Sequence, residues 1–169
     1  MSRLISATGL RWFWVAVIVL VLDLVSKQWV LSCLPLGQSK PFMPWFNFFY
    51  VRNYGAAFSF LAECAGWQRW LCTVSACAVV VVLLLMMYRT CAKKKINNIS
   101  YSFIIGGALG NLSDRLCDGF VIDFIDFYIG NWHYPTFNLA DSFICVGSVM
   151  IVLEHFMSPL NKGEKKKGE

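Results

Sequence analysis

The chain has 169 residues, 57% of them hydrophobic and 15% charged, with a formal net charge of +5. A soluble globular domain averages about 45–50% apolar and about 25% charged residues. Disordered, collagen-like and coiled-coil classes are excluded, and so short a chain cannot bury this much apolar surface as an ordinary soluble enzyme. Four hydrophobic segments, 10–31, 68–88, 96–116 and 137–157, match the roughly 20 residues a membrane-spanning helix needs. They predict one membrane domain, 1–169, with outer segments 32–67 and 117–136 and cytoplasmic segments 1–9, 89–95 and 158–169.

The first segment has a basic start, Arg3 and Arg11, and an apolar core. No small-x-small cleavage site follows it, so it reads as a retained helix rather than a signal peptide. Asp23 and Lys27 lie four residues apart on one helix face, which suits a charge pair that fixes packing near the outer end. Ser26-Lys27 is weak ground for a serine/lysine nucleophile, because adjacent helix positions point about 100° apart. Next come Pro35, Pro41 and Pro44 and then Phe46-Asn47-Phe48-Phe49-Tyr50-Val51. This aromatic, β-prone run predicts a short strand or hairpin at the membrane interface. Asn53 to Ser59 reads as a turn of small residues.

The second span, with Val79 to Leu85 uninterrupted, reads as a lipid-facing strut. Arg89 to Lys95 form a tight turn. The third span carries Gly106-Gly107-Ala108-Leu109-Gly110-Asn111, small enough for helices or a substrate backbone to approach closely. Asn111, Asp114 and Arg115 share one face, and Asp114 and Arg115 are candidates for an ion pair. The stretch from Gly119 to Tyr128 reads as a loop with two carboxylates, Asp123 and Asp126, in an apolar setting. Trp132 and Tyr134 are interface anchors. Asn138 and Asp141 lie three apart at the start of the fourth span, and Ala140 leaves room for a reactant.

With both termini in the cytoplasm, ten of the 15 basic residues fall on that side and the two outer loops hold only Lys40 and Arg52. The positive-inside rule favours this orientation. The basic clusters are short and flank apolar spans, so they do not indicate nucleic acid. Seven cysteines without C-x-x-C give no redox or metal pattern, and two histidines without H-E-x-x-H argue against a metal site. No disulfide is indicated. Five of the ten acidic residues, Asp23, Asp114, Asp123, Asp126 and Asp141, gather at one depth. Ionisable groups inside a membrane are costly and mark functional sites. A transporter more often places them at mid-membrane, and a purely structural protein leaves the cluster unexplained. Paired carboxylates sharing one proton can hydrolyse an amide without metal or cofactor. The residues alone leave the pair open among Asp114, Asp123 and Asp141.

Five stretches, Asp23 to Lys27, Arg52 to Ser59, Gly106 to Arg115, Gly119 to Phe124 and Phe137 to Ser142, resemble in order the motifs of bacterial lipoprotein signal peptidases (signal peptidase II). The resemblance implies an all-α membrane fold of four transmembrane helices, with a small periplasmic β-sheet cradle and a short periplasmic helix able to cover the site. It implies an aspartic endopeptidase that removes the signal peptide of diacylglyceryl-modified prolipoproteins just before the lipidated cysteine. It maps the catalytic dyad onto Asp123 and Asp141. Asn53, Asn111, Arg115 and Asn138 match residues that line the site and contact substrate or the peptide inhibitor globomycin. Asp114, Asp23 and Lys27 match supporting residues. No cofactor, metal or nucleic acid is implied. The expected state is a monomer among lipids in the bacterial inner membrane, with its active site toward the periplasm.

Overall fold

A computed structural model describes residues 7–55 and 67–165, with side chains described as far as Met157. A short 3-10 turn, Gly9–Trp12, leads into helix α1, Phe13–Cys33. No proline or glycine interrupts α1, and it stops where Pro35 forces the preceding Leu34 into extended conformation. Strands β1 (Ser39–Met43) and β2 (Phe46–Asn53) form an antiparallel hairpin. Helices α2 (Trp67–Arg89) and α3 (Lys95–Cys117) follow. Strands β3 (Val121–Ile129) and β4 (Trp132–His133) complete a sheet of order β1-β2-β3-β4. Helix α4, Leu139–Lys165, is the last element.

The short strand or hairpin expected around residues 46–51 is present as β2 of the β1–β2 hairpin. The stretch read as a loop after Gly119 is instead β3, the central partner of β2 and β4. Its β-branched and aromatic residues favour a pleated surface, and burial overrides the two carboxylates that suggested a loop. The helix expected to cover the site is absent from the described elements. Residues 56–66, which include Ala56 to Ser59 of the small-residue turn, lie outside the described residues, as do Arg3 and the final basic residues Lys166 and Lys167.

Three helical stretches, Gly9–Cys33, Trp67–Arg89 and Leu139–Met157, are long and apolar enough to cross a membrane. The third of the four expected spans, now α3, is not among them. At 23 residues it has the length, about 34 Å at 1.5 Å per residue. Its composition differs because it is the hub of the bundle and packs against the other three helices. Asn98, Ser100, Ser102, Asn111 and Asp114 are all buried within it. By contrast, α2 buries only Gln68, Thr73, Leu83 and Met87, so most of its surface is left for lipid.

The small residues of α3 serve helix approach. A Cβ on Gly106 would meet Ala16 O of α1 at 2.6 Å, and one on Gly107 would collide with Ala140 O of α4. A Cβ on Gly110 would strike the Asp23 carboxylate. Ala140 is itself fully buried and its carbonyl lies against Gly107 of α3, so the position is filled by packing rather than left open for a reactant. At the opposite end, Gly9 N donates to Thr90 O and Ala92 N to Ala7 O, joining the chain start to the α2–α3 turn.

Candidate active site

The site lies where the sheet meets the ends of α1, α3 and α4. Asn138 caps α4: its Oδ1 accepts from Asp141 N at 2.9 Å, and Asp141 Oδ2 accepts from Asn138 N at 3.3 Å. This reciprocal capping box satisfies two backbone donors that a helix start leaves free. It also fixes the Asp141 carboxylate beside the β3 strand. The Asn138 amide then faces β3, and Nδ2 lies 2.8 Å from Asp123 Oδ1 and 3.3 Å from Ile122 O. One residue thus joins both candidate carboxylates.

Each carboxylate has a second donor. Asn53 Nδ2 reaches Asp123 Oδ2 at 3.0 Å. A left-handed Gly55 (φ +97°) closes a turn in which Gly55 N donates to Asn53 Oδ1 at 2.9 Å, and this leaves the amino group for Asp123. Asn111 Nδ2 reaches Asp141 Oδ1 at 2.7 Å. Asn111 Oδ1 accepts from Asn138 Nδ2 at 3.0 Å and from Lys27 Nζ at 3.2 Å.

Behind Asn111 sits a buried charge cluster. Lys27 Nζ lies 2.6 Å from Asp23 Oδ2 and 2.8 Å from Asp114 Oδ2, with Lys27 and Asp23 essentially sealed from solvent. The Asp23–Lys27 pair is therefore as the helix spacing anticipates. The candidate Asp114–Arg115 pair does not form. Asp114 turns inward to Lys27 and accepts from Ile122 N at 3.2 Å, while Arg115 Nη1 donates to Asn111 O at 3.3 Å. The reason is geometric: adjacent helix residues point about 100° apart, so only one of them faces the bundle interior. Asp23 Oδ1 also accepts from Ala140 N at 2.9 Å, so the cluster ties α1 to α3, β3 and α4.

Asp123 is 2% exposed, whereas Asp141 is only part-buried. Burial pushes the Asp123 carboxyl up to about 7; the hydrogen bond from Asn53 opposes the shift and the Asp141 charge reinforces it. A cavity of about 700 Å³ opens beside Asp141, bordered by Phe127, Trp132, Tyr134, Phe137 and Ser142. It is mostly apolar, with the carboxylate at one wall. Arg52 lies 4.5 Å from the Phe120 ring centre, outside this network. All nine expected site residues are described. Eight of them, Asp123, Asp141, Asn53, Asn111, Asp114, Asn138, Asp23 and Lys27, share one side-chain network, and Arg115 touches it through a backbone oxygen. No group of three or more potential metal ligands occurs among the described residues.

The spacing of the residues did not disclose that Lys27 serves two aspartates from different helices. Asp126 and His133, which pair on the other side of β3, were also missed as partners. Recognising β3 as a strand would have placed Asp126 on the face opposite Asp123, with Asn47 beside it.

Residues 15–157 match the family model described as signal peptidase (SPase) II. The chain is similar to a lipoprotein signal peptidase of Serratia proteamaculans, 69% identical over 169 residues and covering 100% of both chains. It is similar to one from Photorhabdus laumondii, 59% identical over 162 residues, with 96% of this chain and 97% of the relative covered. Among solved structures it resembles a bacterial membrane enzyme determined by the in meso method at 2.3 Å, with a TM-score of 0.78 and 27% identity, over 90% of this chain and 91% of the other.

Proposed function

The chain belongs to the signal peptidase II family, and from that premise we propose that it is an aspartic endopeptidase cutting diacylglyceryl-modified prolipoproteins just before the lipidated cysteine. The observation that carries the aspartic mechanism is the double engagement of Asn138, which bonds Asp123 through its amide and Asp141 through its backbone. Two carboxylates built into one network cannot both ionise cheaply, so the pair shares a proton.

Burial favours the proton on Asp123, which leaves Asp141 to act as the base. Asp141 removes a proton from water, whose oxygen attacks the scissile carbonyl carbon. Protonated Asp123 donates a hydrogen bond to the carbonyl oxygen as negative charge builds there. Collapse breaks the carbon–nitrogen bond, and the proton held on the dyad passes to the departing cysteine nitrogen. Asn111, held by Lys27 from behind, keeps the Asp141 carboxylate oriented for the first step.

The basic-residue distribution supports four spans, with both termini in the cytoplasm and the sheet toward the periplasm of the inner membrane. In this arrangement α3 crosses the bilayer shielded by the other helices, which accounts for its polar composition. The cavity beside Asp141 supplies an apolar wall on which globomycin would compete with substrate. No cofactor enters the scheme, and a monomer contains every residue it uses.

The test is cleavage in nanodiscs of one prolipoprotein with and without its diacylglyceryl group, with sequencing of the new N-terminus. Cleavage of the modified form alone, before the lipidated cysteine, is the expected result. Equal cleavage of both forms, or a cut elsewhere, contradicts the proposed specificity.

A further inference from the structure

We propose that His133 is a positioning residue for the dyad, acting through a clasp with Asp126 on the opposite face of β3; this rests on the peptidase reading above. Asp123, Ile125 and Phe127 alternate onto one face of β3, and Ile122, Phe124 and Asp126 onto the other. The cavity beside Asp141 borders Phe127. A separate cavity of about 320 Å³ borders Asn47, Asp126, His133 and Thr136.

Asp126 is 2% exposed, yet it takes no part in the proposed chemistry. Its described partners are His133 Nδ1, at 2.9 and 3.0 Å from its two oxygens, and Asn47 Nδ2 at a longer 3.3 Å. A carboxylate oxygen accepts, so the Nδ1 hydrogen is the principal donor. A buried carboxylate deprived of its main donor is strongly unfavourable. The His133 ring also stacks on Tyr128, with centroids 5.3 Å apart. His133 is thereby held at both its polar edge and its face.

The clasp matters because the chain runs from it directly to the dyad. Strand β4 has only two residues, paired at Tyr128↔His133 and Ile129↔Trp132. The connection onward is laced to β3 by Tyr134 N to Phe127 O at 2.8 Å, and by Phe137 N to Ile125 O and Ile125 N to Phe137 O at 3.1 and 2.7 Å. Its next residue is Asn138, the cap that joins Asp123 to Asp141. One run of bonds therefore extends from His133 to the dyad. His133–Asp126 closes its far end, where a two-residue strand provides little hold of its own. Loosening that end lets the 134–138 connection shift along β3 and moves Asn138 relative to Asp123.

The experiment compares wild type, His133→Ala and His133→Asn in nanodiscs, with kcat, KM and amide hydrogen exchange over residues 120–138. Asn offers an amide hydrogen near the place of Nδ1 and keeps the clasp without an imidazole. His133→Ala is expected to lower kcat about tenfold or more, as for a misplaced catalytic group, while KM stays within about twofold. It is also expected to speed exchange at Ile125 and Phe137. His133→Asn should restore both. An unchanged kcat in His133→Ala, a change in KM alone, or failure of Asn to restore either quantity overturns the proposal. If wild type cleaves nothing while exchange still responds to His133→Ala and recovers in His133→Asn, the peptidase reading fails and the clasp stands. If exchange is the same in all three proteins, the clasp fails whatever the activity.

Discussion

Lys27 is the charge on which the site is built. It bonds two buried carboxylates from different helices and also orients Asn111. Removing one member of a buried ionic group leaves uncompensated charge, typically costing about 3–5 kcal/mol. Lys27→Met should therefore lose about that much stability, measured by thermal or denaturant unfolding in detergent. An equally stable variant would show that Asp23 and Asp114 do not depend on the ammonium. Asp123 makes a different prediction. Its folded-state value of about 7 lies above the ordinary 3.8, so the folded protein holds the proton more tightly. Its stabilising contribution is full below the ordinary value and is lost as pH rises towards about 7. The melting temperature should fall over that interval, and the fall should be smaller in Asp123→Asn. Turnover should likewise decline above about 7 as the shared proton leaves. The Asp23–Lys27 pairing was legible in the sequence because four-residue spacing is a local property of a helix. The choice of Lys27 over Arg115 by Asp114 was not, because it depends on which helix face packs inward.

At the scale of elements, one residue caps a helix and also anchors a strand. Asn138 does the first through Oδ1 and the second through Nδ2. Asn138→Ser separates the two, since serine caps a helix about as well as asparagine but cannot reach Asp123 with an amide. The variant should keep the start of α4 capped, read as unchanged amide exchange in its first turn, while losing about 1–3 kcal/mol of stability from the buried oxygens left without the amide and most of its turnover. Normal turnover would remove Asn138 from the account of the dyad. Strand β3 marks where sequence reading was incomplete. Its β-forming residues were visible, but their pairing joins residues some 75 positions away in β2, and no local pattern reports such a partner. The glycines of α3 were legible as a close-approach surface. Only packing shows that α1 and α4 occupy that surface.

For the whole molecule, orientation and chemistry are linked. Cys33 and Cys117 are exposed at the sheet end, and Cys91 is exposed at the opposite end. Single-cysteine variants retaining Cys33 or Cys117 should react with an impermeant maleimide added to intact spheroplasts. A Cys91 variant should react only after lysis. The reverse pattern would contradict the charge-based orientation. Composition made a membrane protein legible, and the charge distribution suggested its orientation. The sheet escaped those bulk properties because its strands lie in the segments that join the helices and pair across long sequence separations. Whether Asp123 and Asp141 form one catalytic unit is decided by single-turnover cleavage of a diacylglyceryl-modified prolipoprotein. Wild type, Asp123→Asn, Asp141→Asn and the double variant should be compared at matched folded concentrations. Each single variant should lose essentially all cleavage, and the double variant should lose no more. Substantial cleavage by either single variant would contradict a single catalytic unit.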